Sequence, residues 1–128
     1  MKQSLGVTGF CLGGGYTFEL ATASPDLKAA VPYYGPVRPD LLAQLNKVTA
    51  PILQLYGDRD NFANQAPNVE KALRDAGKTV ETRIYPGAGH AFFNDTRPPS
   101  QPGGFGYNAE AATAAWPETL AWFRKYLT

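Results

Sequence analysis

Four short apolar segments alternate along this chain with segments of helical periodicity, and this alternation constrains the fold more than any other feature. The apolar segments are residues 5–10, 27–34, 52–56 and 79–85, and the last alternates β-branched and polar residues as an edge strand does. Strands separated by helices favour a parallel sheet, because each parallel crossover needs a connection that covers the sheet. The sequence therefore predicts an α/β fold with about four mainly parallel strands and flanking helices.

The helical signals lie between those segments. Residues 66–76 place Val69 and Leu73 one turn apart and stop before Gly77, which predicts a helix with glycine at its C-terminal end. Residues 16–22 are also compatible with a helix.

Two further segments have helical signals, with an irregular loop between them. Residues 39–45 can form one or two helical turns, whereas residues 95–106 are rich in proline and glycine and predict a loop. Asn108 is suited to cap a final helix that runs to Tyr126. Pro117 either kinks that helix or starts a new segment.

The composition is that of one globular domain spanning residues 1–128, with 44% hydrophobic and 18% charged residues. Lys and Arg number 12 against 11 Asp and Glu, so the charge predicts neither a nucleic acid partner nor an anionic membrane partner. No apolar stretch approaches the roughly 18 residues that span a bilayer, and no signal-peptide pattern follows Met1. We therefore expect a cytoplasmic protein.

The chain has one cysteine, Cys11, and one histidine, His90. A single cysteine excludes an internal disulfide, and the pair falls short of a zinc ligand set, so we expect no structural metal. A lone cysteine between apolar residues is ordinarily a buried core residue. The neighbours of Cys11 favour a different interpretation.

The segment from Gly9 to Gly13 reads Gly-Phe-Cys-Leu-Gly at a strand-to-helix junction, which is the position of a nucleophile elbow. Such an elbow holds the nucleophile in a strained backbone, and we expect both flanking glycines to supply space that side chains would fill. The N–H of Leu12 would face the substrate carbonyl oxygen as an oxyanion donor. The N-terminus of the helix would favour the thiolate form of Cys11.

A cysteine nucleophile needs a base and an acid that orients the base, and elbow folds place them downstream in the order acid, histidine. Asp58 and Asp60 follow the third strand, and His90 follows the fourth. The carboxyl ends of parallel strands share one edge, where open sheets build their sites. Asp60 is favoured over Asp58, because Asp58 lies beside Gly57 in the turn, where aspartate commonly bonds to its own backbone.

These motifs resemble the dienelactone hydrolase family of α/β-hydrolases. The matching segments are Gly-Phe-Cys-Leu-Gly-Gly from Gly9, Tyr33-Tyr34-Gly35, Asp60-Asn61-Phe62, Gly-Ala-Gly-His-Ala-Phe ending at Phe92, and the stretch from Tyr107 to Leu127. The resemblance implies that a triad of Cys11, Asp60 and His90 hydrolyses a small ester or lactone through an acyl-enzyme, without a cofactor. It also implies that Tyr34, Phe62 and Phe92 line the substrate pocket.

The resemblance covers only part of the family's fold. Members are about twice this long, and the motifs here belong to the half that begins at the nucleophile strand, so we expect a partial α/β-hydrolase fold. The second oxyanion N–H would come from the other half, and losing one such donor typically costs about 10² to 10³ in turnover. The first strand would lie exposed along one edge, so we expect a homodimer or higher homo-oligomer.

Three points stay open at this stage. The arginine that the family places shortly after its histidine has no counterpart here, although Arg59 or Arg97 could replace it. A catalytically inactive half-fold that self-associates or binds a partner is the main alternative to an enzyme. A thiol-based redox protein is a weaker alternative, because no second cysteine is available to resolve an oxidised Cys11.

Overall fold

Strands and helices alternate through the part of the chain that the structure, a computed structural model, describes, which is residues 4–94 and 106–127. The strands are β1 (Gly6–Phe10), β2 (Ala29–Tyr33), β3 (Ile52–Gly57) and β4 (Val80–Tyr85), and the α-helices are α1 (Leu12–Ala23), α2 (Pro39–Leu42), α3 (Ala66–Asp75) and α4 (Ala109–Tyr126). Two 3-10 helices, Leu45–Lys47 and Asn61–Gln65, precede β3 and α3. The loop predicted at residues 95–106 lies, except for Gly106, outside the described residues.

The strands form one sheet in the order β1-β2-β3-β4, and every neighbouring pair is parallel. This confirms the predicted α/β class. The register pairs Phe10 with Tyr33, Tyr33 with Leu55, and Gly57 with Tyr85, so the carboxyl ends of all four strands lie along one edge. The residues that follow the strands are therefore gathered at that edge.

Helices cover both faces of the sheet. On one face, Leu55 and Trp122 belong to a buried cluster shared with α4. On the other face, Phe18, Ile52 and Leu73 belong to a second cluster formed with α1 and α3. β2 and β3 are buried at every position, as strands covered on both faces are.

α1 begins at Leu12, four residues before the predicted start, although glycines occupy positions 13 to 15. Glycine costs about 1 kcal/mol in a helix relative to alanine, so propensity alone argues against this start. The close packing of the helix explains it. A Cβ on Gly14 would lie 2.8 Å from the Gly35 Cα and would collide with the carbonyl oxygen of Tyr33.

α4 is one continuous helix of 18 residues that contains Pro117. The side-chain oxygen of Asn108 caps it by accepting the N–H of Ala111 at 2.9 Å, as the sequence predicted. Pro117 and Thr113 are both exposed, so water can satisfy the Thr113 carbonyl that proline leaves without its helical donor. Within the described ranges, no helix combines the length and apolar character needed to cross a membrane.

The two outer strands of the sheet, β1 and β4, differ in charge. β4 carries Glu81 and Arg83, which form an ion pair of 2.8 Å at the protein surface. β1 carries no charged residue, and its Phe10 is 39% exposed. Charged side chains on an edge strand oppose pairing with another strand, so the β1 edge lacks a protection that the β4 edge has.

The packing of α1 predicts that two adjacent glycines respond differently to alanine. In Gly14→Ala the new methyl group meets the Tyr33 carbonyl, and overpacking of this kind costs about 1–3 kcal/mol of the free energy of unfolding. Gly13→Ala is the matched control, because its methyl group meets no described atom within 4 Å and alanine favours the helix. Urea unfolding followed by circular dichroism measures both, and equal losses would contradict this account of the helix.

Candidate active site

Cys11 joins β1 to α1 in a strained backbone conformation, with φ 60° and ψ −119°. Non-glycine residues rarely adopt positive φ, and neighbouring bonds must hold them there. The Cys11 N–H donates to the Tyr33 carbonyl at 3.1 Å, and the Cys11 carbonyl accepts the N–H groups of Gly14 and Gly15. The predicted strand-turn-helix elbow is present, and it leaves Cys11 exposed.

Gly9 supplies space in the elbow, but Gly13 does not. A Cβ on Gly9 would collide with the carbonyl of Gly13 and lie 2.7 Å from the Thr17 hydroxyl oxygen. A Cβ on Gly13 would meet nothing within 4 Å among the residues that the structure describes. The expectation that both flanking glycines are needed for space is therefore wrong for Gly13, and the second crowded position is Gly14.

The structure brings Cys11, His90 and Asp60 together in one line of hydrogen bonds. The Cys11 Sγ lies 2.9 Å from the His90 Nε2, and the His90 Nδ1 lies 2.8 Å from the Asp60 Oδ2. Asp58 is not part of this line. Its carboxylate instead accepts the backbone N–H of Gly87 at 2.9 Å, within the turn that follows β4.

Asp60 uses both carboxylate oxygens. Oδ2 accepts from His90, and Oδ1 accepts the N–H of Phe62 at 2.9 Å, which caps the 3-10 helix Asn61–Gln65. The residue is 5% exposed, so both hydrogen bonds are shielded from water. A buried carboxylate held at both oxygens has little freedom to turn away from the imidazole.

The loops that carry Asp60 and His90 are packed against each other. A Cβ on Gly57 would collide with the carbonyl of Ala88, and the Arg59 N–H donates to that same carbonyl at 2.9 Å. Glycine at position 57 therefore permits the approach of the two loops. This contact sets the spacing between the carboxylate and the imidazole.

Two opposing effects act on the pKa of the His90 side chain. Burial is the largest single influence and lowers the pKa of His90, but the hydrogen bonds and the charge interactions with Asp60 and Cys11 together outweigh it, so the pKa lies above its ordinary value of 6.5. The rings of Tyr34 and Phe62 lie 5.1 and 5.4 Å from the imidazole ring. An imidazole held in this way can accept a proton from the cysteine while the aspartate stabilises the resulting cation.

The three aromatic residues expected to line the pocket occupy different environments. Phe62 is 41% exposed beside His90, whereas Tyr34 is 1% exposed and Phe92 is fully buried. Phe92 packs 5.1 Å from Tyr34 and 5.4 Å from Tyr85, ring centre to ring centre. Phe92 therefore supports Tyr34 from within the core and does not line an open pocket.

Leu12 is the first residue of α1, so its N–H has no acceptor within the helix. This group lies next to Cys11 and can donate to an oxygen bound in front of the elbow. Arg59 is exposed, and Arg97 lies outside the described residues. In residues 4–94 and 106–127, no three side chains of the metal-ligating types lie close enough to hold an ion.

Sequence reasoning missed a polar network beside the elbow. The Gln65 Nε2 donates to the Gly35 carbonyl at 2.7 Å and to the Tyr56 hydroxyl at 3.1 Å, while its Oε1 accepts the Val37 N–H at 3.0 Å. The Tyr56 hydroxyl donates to the Gly35 carbonyl at 2.7 Å. One signal was available, because a tyrosine in a strand predicted to be buried needs a partner for its hydroxyl.

Comparison with known proteins identifies the family of the chain. The model of the dienelactone hydrolase family matches residues 1–127. The "Putative carboxymethylenebutenolidase" of Escherichia coli strain K12 is 41% identical over an alignment that covers 94% of this chain and 45% of the relative. The crystal structure of the "Putative Dienelactone Hydrolase" of Klebsiella pneumoniae is 36% identical, with a TM-score of 0.83 over 95% of this chain and 52% of that one.

A dienelactone hydrolase of Anabaena variabilis shares the fold as well, with 29% identity and a TM-score of 0.70 over 96% of this chain and half of the other. The chain thus spans about half the length of these relatives. The parallel sheet and the elbow both lie within the residues that the family model matches. The chain belongs to the dienelactone hydrolase family.

Proposed function

We propose that this chain carries the reacting groups of a hydrolase that cleaves small carboxylic esters or lactones. The observation that carries the proposal is the line of hydrogen bonds from Cys11 through His90 to Asp60, with lengths of 2.9 and 2.8 Å. A nucleophile, a base and an orienting acid at these distances are the requirements of nucleophilic acyl transfer. Membership in the dienelactone hydrolase family supports the same chemistry.

In the first half of the reaction, His90 takes the thiol proton of Cys11, and the sulfur attacks the carbonyl carbon of the substrate. The carbonyl π electrons move to oxygen, where the Leu12 N–H donates to the negative charge. Asp60 stabilises the imidazolium that forms. When the carbonyl re-forms, the bond to the alkoxide breaks and His90 protonates the leaving oxygen, which produces a thioester on Cys11.

In the second half, water attacks the thioester while His90 accepts a proton from the water. The tetrahedral intermediate collapses, the carbon–sulfur bond breaks, and Cys11 regains its proton from His90. The products are a carboxylic acid and an alcohol, which are one molecule when the substrate is a lactone. These steps use only protein groups and water, so the proposal includes no cofactor.

A catalytically inactive half-fold is the second candidate function, and it is supported by the share of the relatives' length that the chain covers. The chain covers 45% of its E. coli relative, and Leu12 provides one oxyanion donor. Loss of a second donor typically reduces turnover by about 10² to 10³ without abolishing it. A weak but triad-dependent activity is therefore expected from the first candidate, and no activity from the second.

We also propose that two copies of the chain associate through the exposed β1 edge. Leu5 and Phe10 are 55% and 39% exposed there, and Leu12 at the start of α1 is 60% exposed. Pairing of two uncharged edge strands would satisfy their backbone groups and cover these apolar side chains.

The dimer proposal predicts different effects of lysine at the two sheet edges. Leu5→Lys at the β1 edge should shift the protein from dimer to monomer, because the charge opposes strand pairing. Ile84→Lys is the matched control, since Ile84 is 44% exposed on β4, at the opposite edge. Light scattering coupled to size-exclusion chromatography gives the mass, and a monomeric wild type would overturn the proposal.

Hydrolysis of p-nitrophenyl acetate by the purified protein tests the triad. Cys11→Ala and His90→Ala should remove activity, and Asp60→Asn should lower kcat by about 10³ to 10⁴ because it no longer stabilises the imidazolium. Asp58→Asn is the control, because Asp58 bonds to the turn, and it should change kcat by less than about tenfold. Two outcomes would refute the proposed mechanism for such esters: hydrolysis that survives Cys11→Ala, or a wild type that does not hydrolyse the ester.

The titration of His90 can be followed without interference by NMR, because His90 is the only histidine. Its pKa should lie above 6.5 in the wild type, and both variants should lower it: Asp60→Asn removes the negative charge beside the imidazole, and Cys11→Ala removes a hydrogen bond that raises the pKa. The raised pKa stabilises the fold fully below pH 6.5, and this contribution is lost as the pH rises through the folded-state pKa. A pKa that stays unchanged in both variants would contradict the hydrogen-bonded arrangement.

A further inference from the structure

We infer that Gln65 is a positioning residue that keeps Cys11 within hydrogen-bond distance of His90 by bracing the loop on which the elbow rests. The inference rests on the proposed function, because it concerns the same Cys–His pair. Gln65 itself does not touch the reacting atoms. Its effect would pass through the backbone of residues 34–37 and the first turn of α1.

The elbow rests directly on this loop. A Cβ on Gly35 would collide with the backbone of Gly14 and lie 2.7 Å from the Gly15 nitrogen, so the two backbones are in contact without intervening side chains. The Cys11 N–H donates to the carbonyl of Tyr33, the residue just before the loop. A displacement of the loop would therefore move the first turn of α1 and the Cys11 sulfur with it.

The Gln65 side chain holds the loop at two points. Its Oε1 accepts the Val37 N–H at 3.0 Å, and its Nε2 donates to the Gly35 carbonyl at 2.7 Å. Because a backbone N–H can only donate, the Val37 contact fixes which way the amide faces. The second proton of Nε2 goes to the Tyr56 hydroxyl, so both polar ends of the amide are used.

Tyr56 completes the support beneath the loop. Burial raises the pKa of Tyr56 against the opposing effect of the Gln65 hydrogen bond, so the hydroxyl keeps its proton and donates it to Gly35 at 2.7 Å. The Gly35 carbonyl thus accepts from two side chains. Tyr56 lies on β3, the strand that leads to Asp60, so the support is anchored in the centre of the sheet.

Gln65 and Asp60 lie at the two ends of one short element. Asp60 caps the 3-10 helix Asn61–Gln65 and binds His90, while Gln65 ends that helix and binds the loop beneath the elbow. The helix therefore links the base and the nucleophile through opposite ends. This closed path, from Cys11 through His90, Asp60 and Gln65 back to the elbow, is why we assign a positioning role to Gln65 beyond general stability.

The test compares Gln65→Met with Gln54→Met. Methionine keeps the length of glutamine but makes none of its three hydrogen bonds. Gln54 is the matched control, because it is a buried glutamine whose amide donates to Ala66 and Thr82 and has no bond to the 34–37 loop. Two rates are measured on folded protein: turnover of p-nitrophenyl acetate, and alkylation of Cys11 by iodoacetamide, with His90→Ala as the reference for an unassisted thiol.

We expect Gln65→Met to lower kcat by about 10- to 100-fold with little change in KM, since a displacement of about 1 Å can cost 10²-fold. Its alkylation rate should fall towards that of His90→Ala, whereas Gln54→Met should stay close to the wild type in both rates. Tyr56→Phe removes one support of Gly35 and should give a smaller loss in the same direction, which keeps the test valid if Gln65→Met does not fold.

The two readouts separate the failure of this inference from the failure of the proposed function. A wild type that alkylates faster than His90→Ala but does not hydrolyse esters would refute the proposed function and leave the positioning role testable by alkylation. Wild-type alkylation in both Gln65→Met and Tyr56→Phe would overturn the inference. So would equal losses in Gln65→Met and Gln54→Met, or a wild type that alkylates no faster than His90→Ala.

Discussion

The backbone contact between Gly14 and Gly35 is the constraint on which the rest of the site depends. It brings the first turn of α1 against the end of β2, and it permits Cys11 to adopt its positive φ with its N–H on the Tyr33 carbonyl. Any side chain at either glycine would separate the two backbones. The position of the first turn of α1, which begins directly after Cys11, thus depends on the absence of two Cβ atoms.

A similar contact operates on the other side of the site. Gly57 allows the loop after β3 to approach the Ala88 carbonyl, and the short distance between Asp60 and His90 follows from it. The nucleophile and its base therefore each depend on a close backbone approach at the carboxyl edge of the sheet. Because packed backbones deform less readily than flexible side chains, such contacts can keep a hydrogen-bond line of three residues in place.

The chain spans about half the length of its relatives, and within it lie all three members of the hydrogen-bond line. The N–H of Leu12, the first residue of α1, lies beside Cys11 and has no acceptor within the helix. Cys11 directly follows β1, an edge strand of the sheet, and both Cys11 and the neighbouring Leu12 are exposed.

The sequence by itself determined the alternating strands and helices, the elbow around Cys11 and the order of acid and histidine along the chain. These features depend on local periodicity, on turn residues and on neighbours a few positions apart. The sequence also favoured Asp60 over Asp58, and the hydrogen bonds of both residues agree with that choice. Only the tertiary structure showed that Gly14, rather than Gly13, is the second crowded glycine and that Phe92 is buried in the core. Those outcomes, like the Gln65 network, depend on distances between segments remote in sequence, which the packing of helices against the sheet sets and no local pattern encodes.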